Sequence, residues 1–188
     1  MDFFCYHRDR ADSLALRMEL LEAHWSYMDG FAQEMIARGP TIEGEDEHPT
    51  GSIHILTFPD PTAARTFAFE EPGYQAGVYR DVMLRRWRNE VGRTMWEFPG
   101  GAPDADGYLV LGLNSAPLSV ADAPKLSDVP ALIAFGPLLS DDGERWLGTV
   151  ALLRASNPDE ARAALTSEDG NDRYAEIEVH QWRFGGRS

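Results

Sequence analysis

From Leu14 onward the apolar residues Leu14, Met18, Leu21, Trp25, Met28, Ala32, Met35 and Ile36 return at steps of three and four. That spacing predicts one buried helical stripe, ended by Gly39-Pro40. Ahead of it, Phe3 to Arg8 reads as a short aromatic strand, and Asp9-Arg10-Ala11-Asp12-Ser13 offers residues able to cap the helix start. Beyond it come a short strand near Thr41-Ile42, a strand over Gly51 to Phe58 and a helix opened by Asp60-Pro61 with Ala64, Phe67 and Ala68 on one face. Val82 to Arg88 closes the series as another strand. Strand, helix, strand, strand, helix, strand is the split βαβ, or ferredoxin-like, order.

The pattern then repeats. Met-Ile-Ala-Arg-Gly-Pro-Thr-Ile, Met35 to Ile42, lies over Leu-Ile-Ala-Phe-Gly-Pro-Leu-Leu, Leu132 to Leu139. Without a gap the same register pairs Gly51 with Gly148, Leu56 with Leu153, Pro61 with Pro158, Ala64 with Ala161, Arg65 with Arg162 and Glu71 with Glu168. After a short deletion, the run from Tyr79 to Trp87-Arg88 falls on that from Tyr174 to Trp182-Arg183. The chain therefore divides into a first unit over 1–97, a Gly-, Pro- and Asp-rich linker over 98–107 and a second unit over 108–188. Tyr108 to Asn114 supplies the second unit's first strand, but Pro117, Pro124 and Pro130 forbid a long helix after it. The fold class is α+β, with two ferredoxin-like units packed as a pseudo-dimer within one chain so that their apolar sheet faces cover each other.

Composition narrows what such a molecule does. Thirty-one acidic residues against 17 basic ones give a formal net charge of −14, a field that repels phosphate backbones and anionic lipid headgroups. No nucleic acid and no membrane surface is expected as a partner. The single cysteine, Cys5, excludes an internal disulfide framework and reads as an apolar filler in its strand. No apolar run reaches the length of a membrane span, and Met1-Asp2-Phe3-Phe4 lacks the basic start of a secretory signal, so a cytoplasmic location is expected.

Candidate chemistry is sparse. His24 falls beside the apolar stripe, on a seam with Arg17, Leu20, Tyr27 and Phe31. A border histidine either reaches a cleft, where it titrates near neutrality, or serves as a structural hydrogen-bonding group. His7 and His54 lie on strands of the same unit, yet none of the three stands at a diagnostic metal-ligand spacing, so no metal is expected. Tyr6, Tyr27 and Tyr79 either line a cleft or fill the core. Phosphate-cradling glycine loops and serine-nucleophile motifs are missing.

Glu22-Ala23-His24-Trp25, Ala37-Arg38-Gly39-Pro40 and Glu70-Glu71-Pro72-Gly73-Tyr74-Gln75-Ala76-Gly77-Val78-Tyr79 resemble segments of the YCII-like (YciI-related) family, in the dimeric α/β-barrel superfamily. The resemblance spans both copies, and His180-Gln181-Trp182-Arg183 gives the second a family-like ending. It implies that a histidine of the long helix stands beside the acidic residue preceding the proline as an acid/base pair, and some relatives are dehydrochlorinase-like. Carried over, that pair is His24 and Glu71, with Glu where the family usually has Asp. Two functions are consistent with it. One is a cofactor-independent enzyme acting on a small organic molecule by elimination or isomerisation, with His24 as base, Glu71 as its orienting acid and Arg17, Tyr27 and Tyr79 at the substrate. The other is a non-catalytic module for a small ligand or a protein. Further pairing into a homodimer is open to either. Since only the first copy has the histidine and the full loop, a single site in the first unit is expected, roofed or buttressed by the second.

Overall fold

The computed structural model describes residues 1–100, 107–125, 131–166 and 174–185. In the first unit, strand β1 (Asp2–Asp9) leads to helices α1 (Leu14–Glu19) and α2 (Leu21–Asp29), then to the hairpin of β2 (Met35–Glu43) and β3 (His48–Thr57). Helices α3 (Pro61–Phe69) and α4 (Pro72–Gln75) and strand β4 (Tyr79–Trp87) complete it. The second unit runs β5 (Gly107–Ser119), β6 (Leu132–Leu139), β7 (Arg145–Arg154), α5 (Pro158–Ala163) and β8 (Glu176–Trp182). Between β5 and β6 its described residues hold only a 3-10 turn, Val120–Asp122, in place of α1 and α2. The linker expected over 98–107 falls mostly on 101–106, and Glu168 on 167–173, both outside the described residues.

One expectation fails around the first helix. The chain bends at Leu20 (φ −90°, ψ 2°), stops being helical at Gly30, and from Met35 is a strand rather than the last turn of a helix. Met35 pairs with Leu56 and Ala37 with Ile55, so partners about twenty positions away override a periodicity that two adjacent apolar residues could satisfy either way. Gly39-Pro40 accordingly lies inside β2. Nor is the stripe buried: Leu14 is 39% and Met18 52% exposed, and of the helical residues only Met28 is fully covered.

Alternation along each strand sorts side chains into three cores. Phe4 and Tyr6 of β1, Ile53 and Ile55 of β3, Leu109 and Leu111 of β5 and Val150 and Leu152 of β7 point into a common interior. Their neighbours Phe3, Cys5 and Leu56 point outward to Phe67 and Ala68 of α3 and Met28 of α2. On the other unit Tyr108, Val110, Ala151 and Leu153 point outward to Ala161 of α5. The two sheets do more than stack. All eight strands form one closed barrel in the order β1-β3-β2-β8-β5-β7-β6-β4. Among the described residues no helix is long and apolar enough to cross a membrane.

Two seams close the barrel, and they are related by the internal repeat. At one, Thr41 and Ile42 of β2 pair with Trp182 and Gln181, and the chain runs on so that Arg183 N–H donates to Pro40 (3.1 Å) and Gly185 N–H to Arg38 (3.0 Å). At the other, Arg86 and Trp87 of β4 pair with Leu139 and Leu138, and Arg88 and Glu90 N–H groups donate to Pro137 (3.3 Å) and Phe135 (3.0 Å). Glycine makes both approaches possible: a Cβ on Gly39 would sit 1.9 Å from the Arg183 carbonyl oxygen, and one on its counterpart Gly136 1.8 Å from that of Arg88. Neither obstacle is a side chain that can swing away.

Gly39→Ala and Gly136→Ala should therefore each destabilise the chain by at least ~1–3 kcal/mol, the usual range for overpacking. Urea unfolding of the two variants checks this, and wild-type midpoints for both would show that the seams have slack.

Candidate active site

The outward faces of β1 and β3 place polar groups next to one another under α1 and α2. His7 and Asp9 are two apart on β1, Ser52 and His54 two apart on β3, and His7 pairs with Ser52 across the ladder. The described helix residues above them are amphipathic enough to offer Arg17 and His24 downward. Arg17 Nη1 donates to both Asp9 oxygens (3.0 and 3.2 Å) and its Nη2 to Ser52 Oγ (2.7 Å). The guanidinium is thereby fixed between two strands.

Glu71 arrives from the opposite side. Asp60 caps α3 through Ala63 N–H (2.9 Å), and after one helix the chain turns at Glu71, whose side chain caps the short α4 begun by Pro72. One carboxylate oxygen, Oε2, accepts the Tyr74 N–H at 2.8 Å, and the other, Oε1, accepts from His24 Nδ1 at 2.8 Å. Capping and pairing with His24 are both true of this residue. Gly73 leaves room for the Tyr79 hydroxyl beside the carboxylate, since a Cβ there would lie 2.7 Å from Tyr79 Oη and 3.0 Å from Glu71 Oε2.

Glu71 is wholly buried yet ionised. Burial alone would raise its pKa, but the hydrogen bond from His24, the charge of that ring whenever it is protonated, and the Gly73 and Tyr74 N–H groups outweigh it and hold the carboxyl at about 2. Burial, then the Glu71 charge, pushes the Tyr79 phenol well up, so it remains a hydrogen-bond donor. His54 and His7 are driven the other way, first by burial, and are neutral imidazoles. His7 donates through Nε2 to the Ala68 carbonyl (2.8 Å), while His54 Nδ1 is buried without a hydrogen-bond partner. The His24 and His54 rings lie 5.7 Å apart, but no three His, Cys, Asp or Glu side chains among the described residues converge to hold a metal ion.

His24 borders a cleft of about 310 Å³ between the helices and the sheet. Its floor and ends are polar, with Arg17, Ser52, His54 and Arg38, and its walls are Met18, Leu21, Trp25 and Phe184. Phe184 and Gly185 come from the second unit, carried there by the seam at Arg38. A narrower crevice on the other side of His24 leads to Glu71, Gly73 and Tyr79. His24, Glu71, Arg17 and Tyr79 are thus brought together. Tyr27 is not: its hydroxyl donates to the Phe67 carbonyl (3.2 Å) and its ring packs on Phe31 and Phe67, away from the cleft, because α2 turns that side toward α3.

Arg38, Trp25 and Phe184 were given no site role in the sequence reading, yet the repeat carried a signal for part of this site. In the gapless register Arg38 matches Phe135, Pro49 matches Trp146 and His54 matches Ala151, while strand register sets His7 against Gly112. In the second unit Trp146 and Tyr174 stack edge to face (5.8 Å) over Gly112 and fill the equivalent space. Where one copy is polar, the other is solid aromatic core.

Comparison with known proteins bears on the same half. A model of the YCII-related domain matches residues 1–88. The protein YciI of Escherichia coli is 30% identical over 95 residues, covering 47% of this chain and 97% of that protein. An uncharacterized protein of Haemophilus influenzae is 28% identical over 95 residues, with the same coverages. Over nearly the whole chain the structure is similar to a monooxygenase candidate from Lactobacillus acidophilus, at a TM-score of 0.55 and 9% identity, covering 98% of this chain and 97% of that one. At that identity the likeness is one of fold.

The buried carboxylate makes stability depend on acid in a defined direction. Its folded pKa lies below the unfolded value of 4.5, so the folded state is favoured by the ionised form above about 4.5, and the advantage is lost as pH falls toward 2. The shift corresponds to roughly 3 kcal/mol. Glu71→Gln should lose about that much at pH 7 in urea unfolding, and the gap to wild type should shrink through this acid window. A gap that stays constant would show that the charge contributes nothing.

Proposed function

The chain belongs to the YCII-related family, and from that premise we propose that its first unit is an acid–base enzyme, needing no cofactor, for a small one-ring organic molecule. The 2.8 Å contact between His24 Nδ1 and the buried Glu71 carboxylate carries this reading. An ionised carboxylate only accepts, so Nδ1 holds the proton and Nε2 presents its lone pair. Nε2 has no hydrogen bond among the described residues, and His24 borders the cleft. Glu71 fixes the tautomer and stabilises the imidazolium formed when Nε2 takes a proton.

Each group of the cleft then has a task. His24 removes a proton from a carbon next to a carbonyl or enol. In isomerisation the imidazolium returns that proton to another carbon; in elimination the C–H electron pair forms the new double bond while a leaving group departs with its own pair. The Tyr79 phenol donates a hydrogen bond on the Glu71 side, and Arg17, held by Asp9 and Ser52, supplies a fixed positive charge at the cleft wall. His54 stays uncharged beside His24 and so does not oppose its protonation. About 310 Å³ between Trp25, Phe184, Met18 and Leu21 suits a flat molecule of one ring.

A panel of cyclic ketones and phenols, with and without a leaving group, tests this by NMR in deuterated water, read as deuterium incorporation or product. A substrate turned over by wild type should lose ~10²–10⁴-fold in kcat/KM in His24→Ala and about 10–100-fold in Glu71→Gln. Turnover that survives His24→Ala ends the proposal. Ligands that bind, are never turned over and are lost with His24→Ala would instead favour a non-catalytic small-ligand module.

A further inference from the structure

The second unit carries a histidine–glutamate pair of its own, on a strand rather than a helix. Glu178 and His180 stand two apart on β8, on the face that Trp182 turns to the barrel interior. His180 Nε2 lies 2.9 Å from Glu178 Oε2, and Glu178 Oε1 lies 3.5 Å from Arg8 Nη2. Arg8 sits over the Tyr6 ring at 5.1 Å, and the His180 ring meets the same tyrosine edge to face at 5.7 Å. Strands β1 and β8 are separated by β3 and β2 in the barrel wall, so this network crosses the lumen. The hydrogen bond from His180 and the charge of Arg8 overcome burial and hold the Glu178 carboxyl below its ordinary range.

Over the network opens a cavity of about 650 Å³, bounded by the turn after β1 and by the β2–β3 hairpin. In a chain of net charge −14 its lining is unusual: Arg8, Arg10, Arg80, His48 and His180 stand against the carboxylates of Asp9, Asp12 and Glu43. Asp9 is already bonded by Arg17 and Glu178 is engaged by Arg8, while Asp81 beside the cavity lies between Arg80 Nε (3.2 Å) and Arg8 Nε (3.7 Å), so that two arginines share one exposed carboxylate. Arg8 Nε is buried without a hydrogen bond and faces the Asp81 carboxylate at 3.7 Å.

The fold does not require any of this, because the repeat supplies a control. At the opposite mouth strand register puts Leu113 where Arg8 stands, and the repeat puts Met83, Arg85 and Leu147 where Glu178, His180 and Thr50 stand. There the cavity is about 270 Å³, with Met83, Leu113, Leu138 and Leu147 beside Arg85, Asn114 and Ser115 and with no histidine or carboxylate in its lining, and the barrel closes equally well. The Arg8–Glu178–His180 network, which has no counterpart at the opposite mouth, is not a structural necessity.

We propose that this mouth is a second ligand site, for a small oxyanion such as a carboxylate or phosphate, contacted by Arg80 and His180, with Glu178 positioning His180. It is independent of the cleft at His24.

Titration of the full chain with inorganic phosphate and, separately, with benzoate, at constant ionic strength in chloride, tests the site through histidine ring resonances in NMR. Saturable shifts of His180 and of His48, which lines the same cavity, are expected, and His48 reports on binding in His180→Gln. Arg80→Gln and His180→Gln should each weaken binding about tenfold, the value of a charged hydrogen bond, while His24→Ala leaves it unchanged. Arg80 is largely exposed, so its substitution leaves the fold intact. Absence of saturable binding in wild type, or binding lost in His24→Ala and kept in His180→Gln, overturns the proposal.

Discussion

A four-stranded sheet that is apolar on both faces cannot stand alone in water, and each half of this chain has one. Helices cover the outer faces, and only the other sheet is available for the inner ones. Burying them face to face would still leave four strand edges with unpaired backbone groups. Closing the barrel removes those edges, at the cost of bringing two chain segments within contact distance of Gly39 and Gly136. The remainder follows from that closure: once Arg183 and Gly185 are bonded to Pro40 and Arg38, Phe184 has no choice but to stand at the end of the cleft.

The same frame is used for opposite ends in its two halves. Under the first unit's helices the sheet offers His7, Asp9, Ser52 and His54; in the second unit the corresponding surface is sealed by Trp146 and Tyr174. Buried polar groups are costly unless bonded, and apart from His54 Nδ1 the site meets that condition with a chain of contacts from Asp9 through Arg17 to Ser52 and from His24 through Glu71 to Tyr74. Apolar packing in the second unit carries no such obligation. Bonded polar groups are thus gathered in one half and apolar packing in the other.

Much of the frame was legible in the residues. The strand from Phe3, the Asp60-Pro61 helix start and the repeat itself follow from local chemistry and correspond to β1, α3 and the twofold plan of the barrel. The stretch from Phe31 to Arg38 was not legible, because Met35 and Ile36 fit a helical step as well as a strand, and the ladder to Leu56 and Ile55 decides between them. For the site, a family resemblance pointed to His24 and Glu71, which are in fact bonded. Trp25 and Arg38 lie inside the family-like segments but were given no site role there, because they meet Phe184 only through the fold. The Glu178–His180 pair was not singled out in the sequence, and its meaning depends on Arg8 and Tyr6 across the lumen.

Carrying both sheets on one polypeptide also changes the arithmetic of assembly. Two separate chains closing such a barrel would be subject to dilution, and any substitution at one mouth or cleft would appear at the other by symmetry. Here the halves meet at a fixed effective concentration set by the intervening segment. Closure is unimolecular, and the two copies are free to diverge position by position, so Arg8 and Leu113, or His54 and Ala151, can answer to different demands inside one barrel.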